Sequence, residues 1–598
     1  MKLPLKQTWD LDVFFPGGSE SPQFALFLDE LQADTNHFRS EMDQLNIPQT
    51  LEETQKLKPF VNSLQDLQKR LRQAGAFIGC LASQNQSDRK AIQLGNRLDG
   101  INANYQSALT RFDVMLSHMA NEIFDQLIRL ELWDSIAFNL KERRQQVQDK
   151  LPPEQETLIN DLAIDGYNGW SALYDTTVKQ IRIPYEKDGS IVMLSAGQFA
   201  NKLKEADREQ RECLFHQWEE TWKEQEDFCA EALNHLAGFR LQVYKHRSWE
   251  SVLQEPLKIN RMTEATLETM WNVIEKNKPV FIQYLERIAK LMGVEQLAWH
   301  DLNAPLEGKD METSYDEAAE LIERQFRLFS PKLADFTVKA FDNQWIEAED
   351  RPNKRPGGFC TSFPVSGESR IFMTYSGAGN LSTLAHELGH AFHSHVMKDL
   401  PPLAQRYAMN VAETASTFAE LIVSNAALEQ ASTREQKLFL LKDKIQRAVT
   451  FFMDIHARFL FETRFYEERK SGLVGTERLN ELMIDAQKDA FCGALSEYHP
   501  HFWAAKLHFY KTGVPFYNFP YTFGFLFSSG IYSFALREGD SFEDRYISLL
   551  RDTGQMTVEQ LAHKHLGVDL QEPDFWQKAV DLSIEDVRQF LELTEEDI

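Results

Sequence analysis

Residues 384–393 read LAHELGHAFH, and the spacing inside this stretch decides how the chain is read. His386, Glu387 and His390 form an HExxH pattern. On an α-helix, positions i and i+4 differ by about 40° in azimuth and about 6 Å in rise, so both imidazoles leave one face. That separation suits two neighbouring positions around a tetrahedral zinc ion, with Zn–N bonds of about 2.0–2.1 Å. The flanks support a helix. Asn380 or Ser382 is available as N-cap, and Leu384, Leu388 and Phe392 repeat at helical spacing. The competing reading is a chance HExxH on a solvated helix face.

A catalytic zinc needs a third protein ligand and an open position for water. His393 shares the face of His386 but lies about 10.5 Å further along the axis, too far for one ion to take both. His395 points about 180° away from His386. With His393 and Val396 where the pattern HExxHxxGxxH needs Gly and His, that extended motif fails. The third ligand must then come from elsewhere. Residues 411–420 read VAETASTFAE, and their small side chains let a second helix approach closely. Glu413 is read as the third ligand. Glu420, seven residues on and in the same stripe, is read as a carboxylate that orients a liganding histidine through its free N–H. For each glutamate the alternative is a solvated helix face.

Working outward, most of the chain reads as helix, with apolar spacing of three to four residues in stretches such as 51–81 and 122–150. Residues 178–193 alternate around Lys187-Asp188-Gly189 and read as a β-hairpin. Residues 357–375 begin with Gly357 and Gly358 and end in RIFMTY, a strand candidate. Loop signals fall at 151–153 and 303–308. At 598 residues the chain exceeds what one simple core reaches. We expect a helical N-terminal lobe over 1–195, ending in the hairpin, and a helical catalytic lobe over 196–598.

Hydrophobic residues at 43% and charged residues at 26% are ordinary for a globular protein and exclude a disordered chain. A formal net charge of −26 repels phosphate backbones and anionic lipid, so nucleic-acid and membrane-surface partners are not expected. No stretch reaches the ~20 apolar residues that span a bilayer. Residues 1–15, MKLPLKQTWDLDVFF, hold no apolar signal core. The five cysteines are scattered and show no CxxC spacing, which argues against a disulfide framework or a cysteine-based zinc site. These features predict a cytoplasmic protein.

HELGHAFH followed by ETASTFAEL, preceded by RPGGFCTSFP and RIFMTYSG, resembles oligoendopeptidase F and its relatives, the thimet-oligopeptidase-like zinc peptidases. The resemblance extends to WDLDVFF near the N-terminus and to HFYKTGVPFYNFPYTFG over 508–524, and so covers essentially the whole chain. It implies a mainly α fold, two helical lobes around a deep substrate channel, with small β elements near one zinc ion. It also implies short, unstructured peptides as substrates, and it makes the glutamate matching Glu413 the third zinc ligand. Gly357 and Gly358 resemble the family's flexible glycine loop, and residues 370–375, from Arg370 to Tyr375, resemble the strand that pairs with substrate backbone. His508 and Tyr517 resemble the histidine and tyrosine that face the scissile carbonyl, with Tyr521 assisting. The chain departs from the family at Phe519, where relatives often carry a further tyrosine, which leaves open which hydroxyl acts.

The expected chemistry is peptide-bond hydrolysis by water, with Glu387 as general base and His508 and Tyr517 as donors to the oxyanion. A peptidyl-dipeptidase or carboxypeptidase on the same scaffold is the nearest alternative. A non-catalytic helical protein with a structural zinc is the more distant one, since such sites are closed by four protein ligands.

Overall fold

The computed structural model describes residues 1–598 other than 2–3, 188, 306–312, 378–379 and 598. The chain is 71% helical, the mainly α architecture expected from the sequence. Its helices start where the sequence supplies caps. Ser21, Asp88, Thr263 and Ser330 each accept a hydrogen bond from the backbone N–H three residues on. Pro22, Pro331 and Pro573 occupy first-turn positions, where a missing N–H costs nothing.

Among the described residues, five short strands accompany the helices. β1 (Ile183–Lys187) and β2 (Ser190–Leu194) pair antiparallel. The expected hairpin is therefore shorter than 178–193, because residues 178–180 complete the helix Asn168–Gln180. Asp188 in its turn, and residues 306–308 of the loop at 303–308, lie outside the described residues. β3 (Ile346–Glu347), β4 (Phe359–Phe363) and β5 (Glu368–Phe372) form a sheet of order β3-β5-β4. β5 is its middle strand, parallel to β3 and antiparallel to β4, with Thr361 opposite Arg370.

The chain divides into two compact units. One holds Met1–Lys150, Asp310–Ala426 and Phe534–Gly567; the other holds Leu151–Lys309, Ala427–Ser533 and Val568–Ile598. The expected single cut near residue 195 falls inside the second unit. The chain changes unit five times, and the changes at 426/427 and 533/534 fall within the helices Thr414–Gln430 and Phe519–Glu538, where no loop signal marks them.

In the first unit, the helices Pro22–Gln44, Leu57–Gln84 and Arg89–His118 pack pairwise. Phe24, Leu28, Leu31, Phe38 and Met42 form the buried stripe of the first of these. Each such burial contributes roughly 1.5–3 kcal/mol. Phe363 of β4 and Phe372 of β5 join this core, so the helices fix the sheet. The helix Leu381–Met397, which carries the HExxH residues, packs on β4 and β5. It is anchored from behind by His393, fully buried, whose Nε2 lies 2.9 Å from Thr553 Oγ1 and 3.1 Å from the Leu550 carbonyl. His393 thus faces Thr553 and cannot serve as a ligand beside His386.

In the second unit, the helices Glu264–Leu291 and Pro573–Leu593 pack together, as do Ile455–Arg469 and Thr476–Ala490. Among the described residues, no helix is long and apolar enough to cross a membrane.

Candidate active site

Three ligand atoms converge in the first unit. His386 Nε2 and His390 Nε2 lie 3.2 and 3.4 Å from the same oxygen, Oε2 of Glu413. All three atoms sit within 4.8 Å of one another. The two rings stand nearly perpendicular, 87° apart, with centroids separated by 4.8 Å. A tetrahedron with bonds of about 2.0–2.1 Å has edges of about 3.3–3.4 Å, so both nitrogen–oxygen separations match an edge of a zinc ion's ligand tetrahedron. A further observation points the same way. Glu387 is buried beside them, and its Oε2 has no hydrogen-bond partner among the described residues.

Local sequence explains the convergence. Gly389 sits between the two histidines, on the side where a second segment crosses. A Cβ at this position would lie 2.4 Å from the Ala415 carbonyl oxygen and 2.6 Å from Ser416 Cα. Only glycine allows the backbone after Glu413 to approach this closely. Glu413 itself stands at a break between the short helix Met409–Ala412 and the helix Thr414–Gln430, with φ −85° and ψ 2°. The single continuous helix read through Glu413 and Glu420 is therefore corrected. The break aims Glu413 at the histidines.

The surrounding groups hold the ligand atoms. Ser416 Oγ donates to Glu413 Oε2 at 2.7 Å. Glu420 Oε2 lies 3.4 Å from His386 Nδ1, on the far side of the ring from Glu413. His390 hydrogen-bonds the Ala412 backbone. Burial would raise the Glu413 carboxyl, but the hydrogen bond to His386, the charges of His390 and His386, and the Ser416 hydroxyl pull it down to about 2. Burial also lowers His390 to about 4, which keeps its lone pair available. Burial raises Glu387 to about 7, against the charge of His386 and aided by that of Glu413. A carboxylate held near neutrality can both take and return a proton.

The glycine loop also reaches this place. Gly357 has φ +92°, and a Cβ on Gly358 would lie 3.2 Å from Glu387 Oε1. The side chains of Arg370 and Tyr375 are engaged elsewhere. Arg370 is fully buried, donating to the Asp10 carbonyl at 2.8 Å and to Glu368 at 2.9 Å, with its guanidinium over Phe14. Tyr375 donates its hydroxyl to the Thr313 carbonyl at 3.0 Å. Nor does β5 offer a free edge, since it is paired on both sides. Ile371 and Met373 donate their N–H groups toward β3, to Trp345 and Glu347. By alternation, Phe372 and Arg370 pair with Phe359 and Thr361 of β4, and Cys360 and Ser362 turn their backbone groups to the outer edge of β4.

The second unit groups His508, Tyr517 and Tyr521. The rings of His508 and Tyr517 are 4.7 Å apart, and the hydroxyls of Tyr517 and Tyr521 are 3.3 Å apart. Phe519 is buried, its ring centroid 6.1 Å from that of Phe459. Sequence reading missed Asn518, whose Oδ1 lies 2.7 Å from His508 Nδ1 and accepts from Arg458 Nη1 at 3.0 Å. A guanidinium only donates, so Arg458 fixes which end of the Asn518 amide faces His508. His508 must then donate from Nδ1, leaving Nε2 as an acceptor. Burial, reinforced by Lys506, Arg458 and Lys511 and opposed by the Asn518 bond, lowers His508 to about 4, so it is neutral at pH 7.

The chain matches Peptidase family M3 over residues 202–582 and the description Oligopeptidase F over residues 116–183. It is 24% identical over 397 residues to Oligopeptidase PepF of Bacillus subtilis (strain 168), an alignment covering 65% of this chain and 58% of the relative. It is 23% identical over 416 residues to Oligoendopeptidase F, chromosomal, of Lactococcus lactis subsp. cremoris, covering 67% of each. Its fold is similar to the crystal structure of a putative peptidase from Chlamydophila abortus, with a TM-score of 0.82, 18% identity and 98% of each chain covered.

Proposed function

The chain belongs to peptidase family M3 and is a metallopeptidase related to oligoendopeptidase F; from this we propose a zinc-dependent endopeptidase that hydrolyses internal bonds of short, unstructured peptides. The observation that carries the reading is that His386 Nε2 and His390 Nε2 both lie at a tetrahedral-edge separation from Glu413 Oε2, beside the buried Glu387. His386 and His390, through Nε2, and Glu413, through Oε2, would hold the ion. Glu420, Ser416 and the Ala412 backbone keep those three side chains in place. Zinc, when bound, supplies a Lewis acid for the carbonyl and brings a water molecule's pKa toward neutrality.

Glu387 takes a proton from the attacking water and delivers it to the leaving amine. Cys360 and Ser362, at the open edge of β4, offer N–H and C=O groups to an extended peptide, which adds as a strand. This replaces the pairing with residues 370–375 implied by the resemblance. Tyr517 and Tyr521 donate to the developing oxyanion. His508, with Nε2 as acceptor, takes a hydrogen bond rather than giving one. The test is metal analysis of the purified chain together with cleavage of an end-blocked quenched peptide, with and without chelator. Internal cuts lost on chelation and restored by zinc are expected. Cleavage that needs a free peptide terminus would favour the peptidyl-dipeptidase or carboxypeptidase alternative, and cleavage indifferent to chelation would remove zinc from the reaction.

A further inference from the structure

A cavity of about 470 Å³ lies in the first unit, between the helices Leu57–Gln84 and Arg89–His118, the β4–β5 turn and the end of the helix Leu381–Met397. None of His386, Glu387, His390 and Glu413 lines it. Its size falls in the range of about 300–1,000 Å³ typical of small-molecule sites.

Three cationic side chains, Arg72, Lys398 and Arg406, line this cavity, with the hydroxyls of Ser362, Ser369 and Ser394. The carboxylate in its lining, Glu368, is occupied by Arg370. Arg72 donates to Ser362 Oγ at 2.9 Å and has no ion pair among the described residues. Burial lowers its pKa, as does the charge of Arg406, against the opposite effect of Tyr407. Yet Arg72 is exposed to solvent. A group enclosed by protein atoms and still reached by water lines a concave, wet site. Over the whole chain 90 acidic residues face 64 basic ones. Arg406, whose charge also acts on Asp113 and Tyr105, brings a second guanidinium to this hollow of so acidic a protein.

We propose that this cavity binds the oxyanion group of a small molecule, a phosphate or a carboxylate, between Arg72 and Arg406. The two planar guanidiniums supply paired N–H donors, which match both oxyanions, and the serine hydroxyls donate to the remaining oxygens. An occupant would touch Tyr407, which lines the cavity and stacks on His393 of the metal-site helix with ring centroids 4.4 Å apart.

Isothermal titration calorimetry of the metal-loaded protein with inorganic phosphate and, separately, with acetate at low salt tests this. One saturable site is expected for at least one anion. Affinity should fall at least about tenfold in R72Q/R406Q, the loss typical of a charge-assisted hydrogen bond, and R72K should lie between. Binding of phosphate alone or of acetate alone identifies the oxyanion, and either supports the site. Absence of saturable binding overturns the proposal. So does binding that persists unchanged in R72Q/R406Q, which would put the anion elsewhere, for example on the metal. Because the readout is binding and not cleavage, failure here leaves the peptidase reading untouched, and failure of that reading leaves the cavity untouched.

Discussion

Replacing Gly389 by alanine should damage the metal site without touching a ligand. Alanine is the better helix former by about 1 kcal/mol, so intrinsic propensity predicts a gain. The structure predicts the reverse. The new Cβ would stand 2.4 Å from the Ala415 carbonyl oxygen, whereas ordinary contact begins at 3.4 Å. Relief requires the two segments to part by the difference, about 1 Å, because the obstacle is backbone and no rotamer can remove it. Ala415 is two residues from Glu413, whose oxygen lies only 3.2 and 3.4 Å from the histidine nitrogens. Ligand geometry tolerates about 0.2 Å, so G389A should bind zinc roughly 10–100-fold more weakly, the loss seen when support for ligands fails. Overpacking of about 1–3 kcal/mol, less the propensity gain of about 1 kcal/mol, should leave a net loss of up to about 2 kcal/mol. Competition with a chromogenic chelator reads the first quantity and urea unfolding the second. G79A serves as the control, since a Cβ there meets nothing within 4 Å, and it should stabilise the fold slightly. If G389A kept full zinc affinity and unfolded with wild type, close backbone approach would not be what holds Glu413 in place.

E387Q should retain zinc and lose about 10²–10⁴-fold in kcat, measured on a quenched peptide. Y517F should lower kcat by about 10²–10³-fold with little change in KM, and N518L should lower kcat less while altering the acidic limb of the pH–rate profile, because His508 loses the partner that fixes its tautomer. R370L should lose about 3–5 kcal/mol in denaturant unfolding while the folded fraction keeps its KM, which separates a buried structural arginine from a substrate ligand. Glu219 hydrogen-bonds His501 at 2.6 Å and contacts His499; burial works against its ionisation, but the two histidines hold it at about 2, below its ordinary 4.5. A depressed acid contributes stability above its unfolded pKa and loses it as pH falls toward its folded one, so wild type should exceed E219Q by on the order of 3 kcal/mol near pH 6 and by about half that near pH 3 in urea titrations.

Much of the site was legible because it obeys helical geometry. The i, i+4 spacing of His386 and His390 needs no tertiary information, and the chain does place both nitrogens against one oxygen. RIFMTY marked β5 in part, since the strand runs Glu368–Phe372, while β4 (Phe359–Phe363) was not read as a strand. What sequence could not carry was long-range. β3 is two residues long and pairs with a strand some 25 positions away. The turn at Glu413 breaks a stretch that holds neither glycine nor proline, so no local breaker marks it. The clash that makes Gly389 necessary involves atoms 26 positions distant. Arg370 in a strand near the site looked like a ligand for substrate, and only the partners Asp10 and Glu368 reveal a core residue.

His393 joins the metal-site helix to Leu550 and Thr553, more than 150 residues later in the chain. During synthesis the histidines, Glu387 and Glu413 all leave the ribosome long before that anchor exists. The site therefore cannot reach its final packing until nearly the whole polypeptide is made. A chain ending before residue 550 would carry His386, Glu387, His390 and Glu413 but lack both partners of His393, so the helix that bears the two histidines would be missing its buried anchor.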